Sequence, residues 1–529
     1  MSEKVYGIDL GTTNSAIAVY ENGETRILKN MDGDEVTPSV VLFTSVDEEG
    51  KDEVLVGSQA REEAASSPDT VVQFVKRNIG KKGAAVQFTA PSGKVYTPEM
   101  ISSLILQKVC RDAEKYAGEE EVKDVVITVP AYFDDARRTA TKQAGMLAGL
   151  NVLDILNEPT AAAVAFGLGR EFKGRILVYD LGGGTFDVTI MDIDDGKFTV
   201  LATGGDPQLG GINFDQEISG LIIKKLEEQG ISVDYEDDER MAEIREKAET
   251  TKKQLTNVEH SHPVFRFRED GKTQNVRLDI SREEFEAAAE QLMRRTQFII
   301  EDVMKQKEIT WEQIDEIIIV GGSTKMPIVI KWLENLSGKT ISREVDPDTV
   351  VAKGAAIFAS TVSKRAENQE TGSAASEAGE VPSGGLVISD VTSQSLGIVS
   401  IDPADPVGKK EVNSVIIPNN TAIPAKRSRE FRTVVENQTS VKIQVTEGND
   451  PELEYVNIIG ETVLQIPPYP KGSPIEVIFA YDANQMVYVE VIDLVAQKSL
   501  GTFDIERRSN LTAEQLAQAE ETVRQTSVE

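Results

Sequence analysis

The sequence predicts an α/β region reaching to about residue 362, joined by a linker to an all-β sandwich that closes on one short helix. Three observations carry this reading. Strands alternate with long helical patterns at 135–150, 240–255 and 282–307. Residues 364–385, KRAENQETGSAASEAGEVPSGG, then contain no aromatic residue and almost no large aliphatic one, a composition that cannot bury a core. After Leu386 the pattern turns to period two: Val441, Ile443 and Val445 alternate with Lys442, Gln444 and Thr446, between punctuation at Pro418, Pro424, Gly448 and Pro467 to Pro470. The expected parts are 1–362, a flexible linker 363–389, a sandwich 390–508 and a short helix 509–529.

The α/β region carries a near-repeat. Residues 5–23 read VYGIDLGTTNSAIAVYENG and residues 176–196 read ILVYDLGGGTFDVTIMDIDDG. Each is an apolar strand ending in Asp-Leu-Gly, a turn of small residues, then an alternating strand. Each closes on Asn22-Gly23 or Asp195-Gly196, dipeptides that accept the positive φ of tight hairpins. Two such units predict related halves facing a shared cleft.

Among the helices, 98–118 opens with Thr97 as N-cap and Pro98 at the first position. Cys110 falls on its apolar stripe and reads as an inert buried thiol. At 487–492, Val487, Val489 and Val491 alternate with Tyr488, Glu490 and Ile492, a strand largely apolar on both faces. In the last helix Thr512 and Gln515 form a capping box, and Leu511 with Leu516 a hydrophobic staple.

Composition narrows the function. With 529 residues the chain exceeds one ordinary core, and 56 basic against 88 acidic residues give a net charge of −32. A surface this acidic repels phosphate backbones, so no nucleic-acid partner is expected. No run of eighteen apolar residues or leader-like opening occurs, so the expectation is a cytoplasmic protein without a membrane partner. One cysteine and two histidines leave no disulfide and little for a transition-metal site.

The glycine-rich turns are suited to phosphate. In Asp9-Leu10-Gly11-Thr12-Thr13 and Asp180-Leu181-Gly182-Gly183-Gly184-Thr185, glycines let backbone N–H groups approach closely and threonines add hydroxyl donors. The strand-end carboxylates cannot face phosphate bare. A hydrated Mg2+ between them is the expected intermediary, since it keeps waters and takes few carboxylates. Two further loops, Gly321-Gly322 after an apolar strand and Gly204-Gly205 before Asp206, complete a set that fits neither the dinucleotide fingerprint nor the P-loop.

Here the chain resembles the heat-shock-protein-70 family of DnaK-like chaperones along nearly its whole length. The segments IDLGTTNS (8–15), FVKRNIG (74–80), VPAYFDDARR (129–138), NEPTAAA (157–163), DLGGGTFD (180–187) and VGGSTKMP (320–327) carry the likeness. Beyond the linker it continues in DVTSQSLGI (390–398), NNTAIPAKRS (419–428) and ENQTSV (436–441). The resemblance implies an actin-like two-lobed ATPase domain followed by a β-sandwich that holds peptides. It implies ATP/ADP and Mg2+ as cofactors, with K+ as a further ion. Asp9 and Asp180 would hold the Mg2+ through water. Gly11, Thr12, Thr13, Gly182, Gly183, Gly184, Thr185, Gly204 and Gly205 would meet the phosphates. Lys76 would act near the γ-phosphate, and Glu158 and Asp187 on the attacking water. Glu249, Lys252, Lys253, Thr256, Gly321, Gly322, Ser323, Lys325 and Asp348 would receive the nucleoside. Lys253 and Lys325 stand where the family often has arginine, which weakens stacking on adenine.

The same likeness places Ile398, Ile401, Phe431, Val434, Val441 and Ile443 along a groove for unfolded, apolar peptide segments. For Ile398 and Ile443 a place in the sandwich core is an equal reading. Pro130, Arg138, Val387, Ile388 and Asp390 match the coupling elements. Bottom-up, Leu386–Ile388 is an apolar triplet that either docks on the first domain or begins the sandwich. Against the family pattern, the reading expects a longer linker, Ser389, Asp154 where partners of J-domain cochaperones carry a basic residue, Ile212-Asn213, and a chain without the helical lid. Three readings stay open: an ATP-hydrolysing chaperone working with a J-domain cochaperone and an exchange factor, a regulatory or tethering family member, and a sugar kinase of the actin-like superfamily.

Overall fold

The computed structural model describes residues 4–64, 66–118, 121–168, 172–269, 272–370, 386–405, 407, 409–481, 487–504 and 510–529. It is a mixed α/β structure in which two sheets share a four-strand order, a parallel strand followed by an antiparallel meander, each extended by one further strand at opposite ends. Asn151–Asn157, Asp124–Val129, Val5–Asp9, Asn14–Glu21 and Glu24–Leu28 lie side by side. So do Glu316–Val320, Gly174–Leu181, Phe186–Asp194, Lys197–Asp206 and Val387–Ser389. In each, an antiparallel meander is flanked by a parallel strand, as the near-repeat predicts. Both hairpin turns take the positive φ their dipeptides allow: 54° and 90° at Asn22-Gly23, 47° and 76° at Asp195-Gly196.

Helix Val350–Glu370 packs on Val5–Asp9 and on helix Glu158–Gly167. The approach is so close that a Cβ on Gly7 would stand 2.1 Å from the Ala356 nitrogen. This helix corrects the expected boundary: it runs eight residues past position 362, through the first part of the expected linker. Residues 371–385, the rest of the low-complexity stretch, lie outside the described residues.

The apolar triplet docks. Val387–Ser389 adds to the second sheet in parallel with Lys197–Asp206, with Ile388 opposite Phe198. Leu386 and Val391 are buried with Ile193, Phe198 and Val200. Positions 387–389 are therefore a sheet strand and not free linker.

Beyond it, the sheet Glu411–Ile417, Leu396–Ile401, Gln438–Glu447, Asn457–Tyr469 faces the sheet Ala425–Arg432, Pro474–Tyr481, Val487–Asp493, Lys498–Asp504. Leu396, Val445, Val477, Phe479 and Val489 fill the space between them. The strand at 487–493 alternates after all, with Val487, Val489 and Val491 inside and Tyr488 exposed. Of the predicted helices, 98–118 ends at Ala117 with Gly118 left-handed, 135–150 ends at Leu147, and 240–255 starts at Asp238. The 282–307 pattern is two helices, Arg282–Ala288 and Glu290–Gln306, because the ladder breaks at Ala289, whose ψ is −4°. Cys110 is buried, and burial pushes its thiol pKa up.

The C-terminal segment lies on the first sheet's side of the molecule, a placement not read from the sequence. Helix Ala513–Arg524 carries the expected capping box, with Gln515 N donating to Thr512 Oγ1 and Gln515 Oε1 accepting from Thr512 N. Ala519, Val523 and Val528 join the core that contains Leu104, Val109 and Phe43, with Leu511 and Leu516 against its edge. Ser527–Val528 then pairs in parallel with Asp52–Val56. Gln143 donates to Leu511 O at 2.8 Å, and the Tyr96 and Thr526 hydroxyls lie 2.8 Å apart.

This packing generates a prediction. Truncating Val523 in that core should cost about 1.5 kcal/mol, the transfer free energy of its buried methyls. Val523→Ala should lower the midpoint of the denaturant-induced transition of the full chain; an unchanged midpoint would mean that the segment is not packed there.

Candidate functional site

The two Asp-Leu-Gly strands end side by side at the bottom of a cleft. The loops after them interlock: a Cβ on Gly183 would stand 2.4 Å from Thr13 Cγ2, and one on Gly184 2.5 Å from Thr12 Cγ2. Any side chain there would push the loops apart, so glycine is required by space. Ser39 Oγ donates to Gly11 O, Ser323 Oγ to Gly182 O, and Arg77 Nε to Gly184 O, at 2.9, 2.9 and 3.0 Å. These bonds hold the carbonyls of Gly11, Gly182 and Gly184 outward, while Gly182 N–H closes the loop on Thr185 O at 3.1 Å.

At the base lies a chamber of ≈ 70 Å³ lined by Asp9, Gly11, Thr12, Thr13, Lys76, Glu158, Asp180, Gly182, Gly183, Thr185 and Gly321, among others. Lys76 is buried, and its Nζ lies 2.5 Å from Glu158 Oε1. Burial opposes the lysine's charge, but Glu158, Asp9 and Asp180 outweigh it and raise its pKa. The carboxylates are in the opposite position. Burial first, then Glu158, pushes Asp9 up to about 7 and Asp187 up to about 8. Burial, Glu158 and Asp187 also hold Asp180 well above the usual carboxylate range. Asp187 accepts the Tyr132 N–H at 2.9 Å and pairs in register with Gly205, the neighbour of Gly204 on the next strand.

Four enclosed carboxylates around one lysine are an unbalanced set. That imbalance is what a divalent cation answers, and acidic oxygens around a chamber with room for several waters fit hydrated Mg2+.

Above the chamber opens a cleft of ≈ 630 Å³. Glu249, Lys252, Lys253, Thr256, Gly322, Ser323, Lys325 and Asp348 line it, the places where sequence reasoning put the nucleoside. Lys325 pairs with Asp348, and Lys252 reaches Asp215 at 2.8 Å and Gly211 O at 3.0 Å. Glu249 pairs with Arg61 and with Lys253. Burial raises its pKa, but these two cations bring it down to about 2. Arg61 belongs to helix Ser58–Glu62 and Glu249 to helix Asp238–Leu255, so this ion pair bridges the mouth of the cleft. Sequence reasoning missed Arg61, Arg245 and Gln73 in this wall, since no local pattern marks them; Arg77 lay inside a quoted motif and was passed over.

The site continues into the docked strand. Asn157 is the N-cap of helix Glu158–Gly167, and its Nδ2 donates to Asp390 Oδ2 at 2.8 Å. Arg138 donates to Asn157 Oδ1 and to Ile155 O, at 2.5 and 3.0 Å. From the sandwich, Asn420 brackets Thr203, accepting its N–H at 2.8 Å and donating to its carbonyl at 3.2 Å. Lys307 Nζ donates to Asn420 O at 2.9 Å.

In the sandwich, the expected groove residues divide. Ile398, Val441 and Ile443 are buried in the core, Phe431 packs partly against it, Ile401 is half-buried and Val434 exposed. Ile398 stands opposite Val445, so Ile401 lies toward the Gln438 end, the end that also holds the turn 433–437.

Comparison with known proteins gives the family. A family model described as Hsp70 protein matches residues 5–529. The chain is 39% identical to a protein named Chaperone protein DnaK from Metamycoplasma hominis over 521 residues, 97% of this chain and 81% of that one. The motifs, the duplicated sheets and these matches together make the chain a member of the Hsp70 family.

Proposed function

We propose that the chain is an ATP-dependent chaperone, in which nucleotide in the cleft controls how the β-sandwich takes and releases apolar segments of unfolded proteins. The observation that carries this reading is the buried Lys76–Glu158 pair among Asp9, Asp180 and Asp187, placed where two interlocked phosphate-type loops end. In this reading the chain has an actin-like two-lobed ATPase domain and a peptide-binding sandwich. Unfolded or apolar peptide segments, a J-domain cochaperone and an exchange factor are the expected partners.

Asp9 and Asp180 would hold Mg2+ through its water shell, and the ion, when bound, supplies charge neutralisation on the phosphates. Thr12, Thr13, Thr185 and the loop N–H groups cradle the phosphate oxygens. Lys76 places its ammonium where negative charge spreads during phosphoryl transfer, and Glu158 fixes its position. Asp187, held by the Tyr132 N–H, orients water and accepts its proton. Lys253, Lys325 and Thr256 receive the nucleoside, with Arg61 and Glu249 closing over it. The remaining polarised link, Glu158 to Asn157 to Asp390, connects the phosphate end to the docked strand.

Two outcomes test the catalytic assignment. Lys76→Ala should lower single-turnover ATP hydrolysis by roughly 10²–10³-fold while nucleotide affinity changes only a few-fold, since the ammonium acts on transferring charge. Hydrolysis at the wild-type rate would remove Lys76 from the mechanism. Asp180→Asn replaces one of four crowded carboxyl groups, whose ionisation the enclosure opposes, by a neutral amide. It should raise the melting temperature of the nucleotide-free protein by roughly 1 °C for each kcal/mol relieved, and abolish the further rise on adding Mg2+ and ADP. A lower melting temperature without nucleotide would contradict the unbalanced-charge account.

A further inference from the structure

Strand Ala425–Arg432, AKRSREFR, is the edge of its sheet and carries four basic residues against one acid in a chain whose net charge is −32. The pairing register sorts its side chains by face. Arg427, Arg429 and Phe431 stand opposite Phe479, Val477 and Ile475, all buried, so these three point to the inner side of the sandwich. Both arginines are nevertheless exposed, because the facing sheet does not cover them. Arg429 lies over the Phe431 ring at 5.5 Å and donates to Val415 O at 3.4 Å on the opposite edge strand. Among the described residues, no carboxylate pairs with Arg427 or Arg429. The strand's one acid, Glu430, is on the other face and pairs with Arg432. Beyond Phe431 the turn presents Val434 and Val435, 47% and 55% exposed. The next carboxylate, Glu436, follows them.

We propose that this face selects acidic client segments: extended peptides whose aliphatic residues meet Phe431 and Val434 and whose Asp or Glu side chains meet Arg429 and Arg427. The inference rests on the peptide-binding reading above and names the charge class of the peptide. Two cations without acidic partners beside exposed apolar surface favour an amphipathic, anionic occupant, and guanidinium groups match carboxylates in fork geometry. Spacing adds a constraint. Residues 427, 429 and 431 repeat at two residues, about 6.6 Å per step along a strand. An extended peptide lying beside it meets that row with carboxylates two and four positions from its aliphatic anchor.

The test uses the full chain with ADP and fluorescent peptides of one aliphatic core, flanked by Asp/Glu, by Ser or by Lys. The acid-flanked peptide should bind roughly three- to ten-fold tighter than the Lys-flanked one, as two exposed ion pairs allow, and the gap should close in about 0.5 M salt. The double variant R427S/R429Q should erase the preference, while R432S, which removes a charge from the opposite face, should keep it. Moving the carboxylates by one residue should weaken the gain. Equal affinities, or a preference for Lys flanks, in the wild-type chain would overturn the inference while leaving Ser-flanked binding, and thus the peptide-binding reading, intact. No binding of any of the three peptides would overturn both.

Discussion

The buried ammonium of Lys76 beside Glu158, among three further carboxylates, is the interaction on which the rest of the structure turns. Charges are expensive to bury, and four carboxyl groups around one ammonium cannot all ionise at low cost unless a cation completes the set. The surrounding scaffold makes the arrangement tolerable. Two duplicated strand ends hold Asp9 and Asp180 in place, helix Glu158–Gly167 presents its first residue to Lys76, and the Tyr132 N–H steadies Asp187. The interlocked glycines bring the loops near enough that one anion can touch both.

That cluster is joined to the rest of the chain by short steps. Asn157 precedes Glu158 and binds both Arg138 and Asp390, so the residue beside the buried carboxylate also holds the segment that leaves the second sheet for the sandwich. In the proposed reading, a change in charge at the chamber would reach the docked strand through Asn157, which holds Asp390. Asn420 adds a second anchor on Lys197–Asp206, the strand that carries Val387–Ser389. The C-terminal segment gives a third, since it returns from the sandwich to the first sheet's side and ends as a strand beside Asp52–Val56.

Local chemistry was legible in the sequence where it is short-ranged. The Asn22-Gly23 and Asp195-Gly196 turns, the Thr97 and Thr512 caps and the duplicated Asp-Leu-Gly ends all follow from neighbours within a few residues. The chamber residues were singled out through motifs, and the structure brings many of them to the lining of the chamber and the cleft. What was missed depends on distant partners. Ser527–Val528 is too short to announce a strand, and its pairing is decided by the open edge at Val54, more than 470 positions away. The Arg61–Glu249 bridge joins exposed-looking residues on separate helices. The composition of 364–385 suggested linker from its first residue, yet the helix from Val350 extends to Glu370, since Lys, Arg, Ala, Glu and Gln favour helix as readily as solvent.

The central claim is that occupancy of the phosphate chamber holds the strand Val387–Ser389 in the second sheet through Asn157 and Asp390. Hydrogen exchange of the 387–389 amides, followed with and without Mg2+ and ATP in the full chain and in Asn157→Ala, measures this directly. The account predicts slower exchange with nucleotide in the wild-type chain and loss of that difference in the variant. Identical exchange with and without nucleotide in the wild-type chain would contradict it.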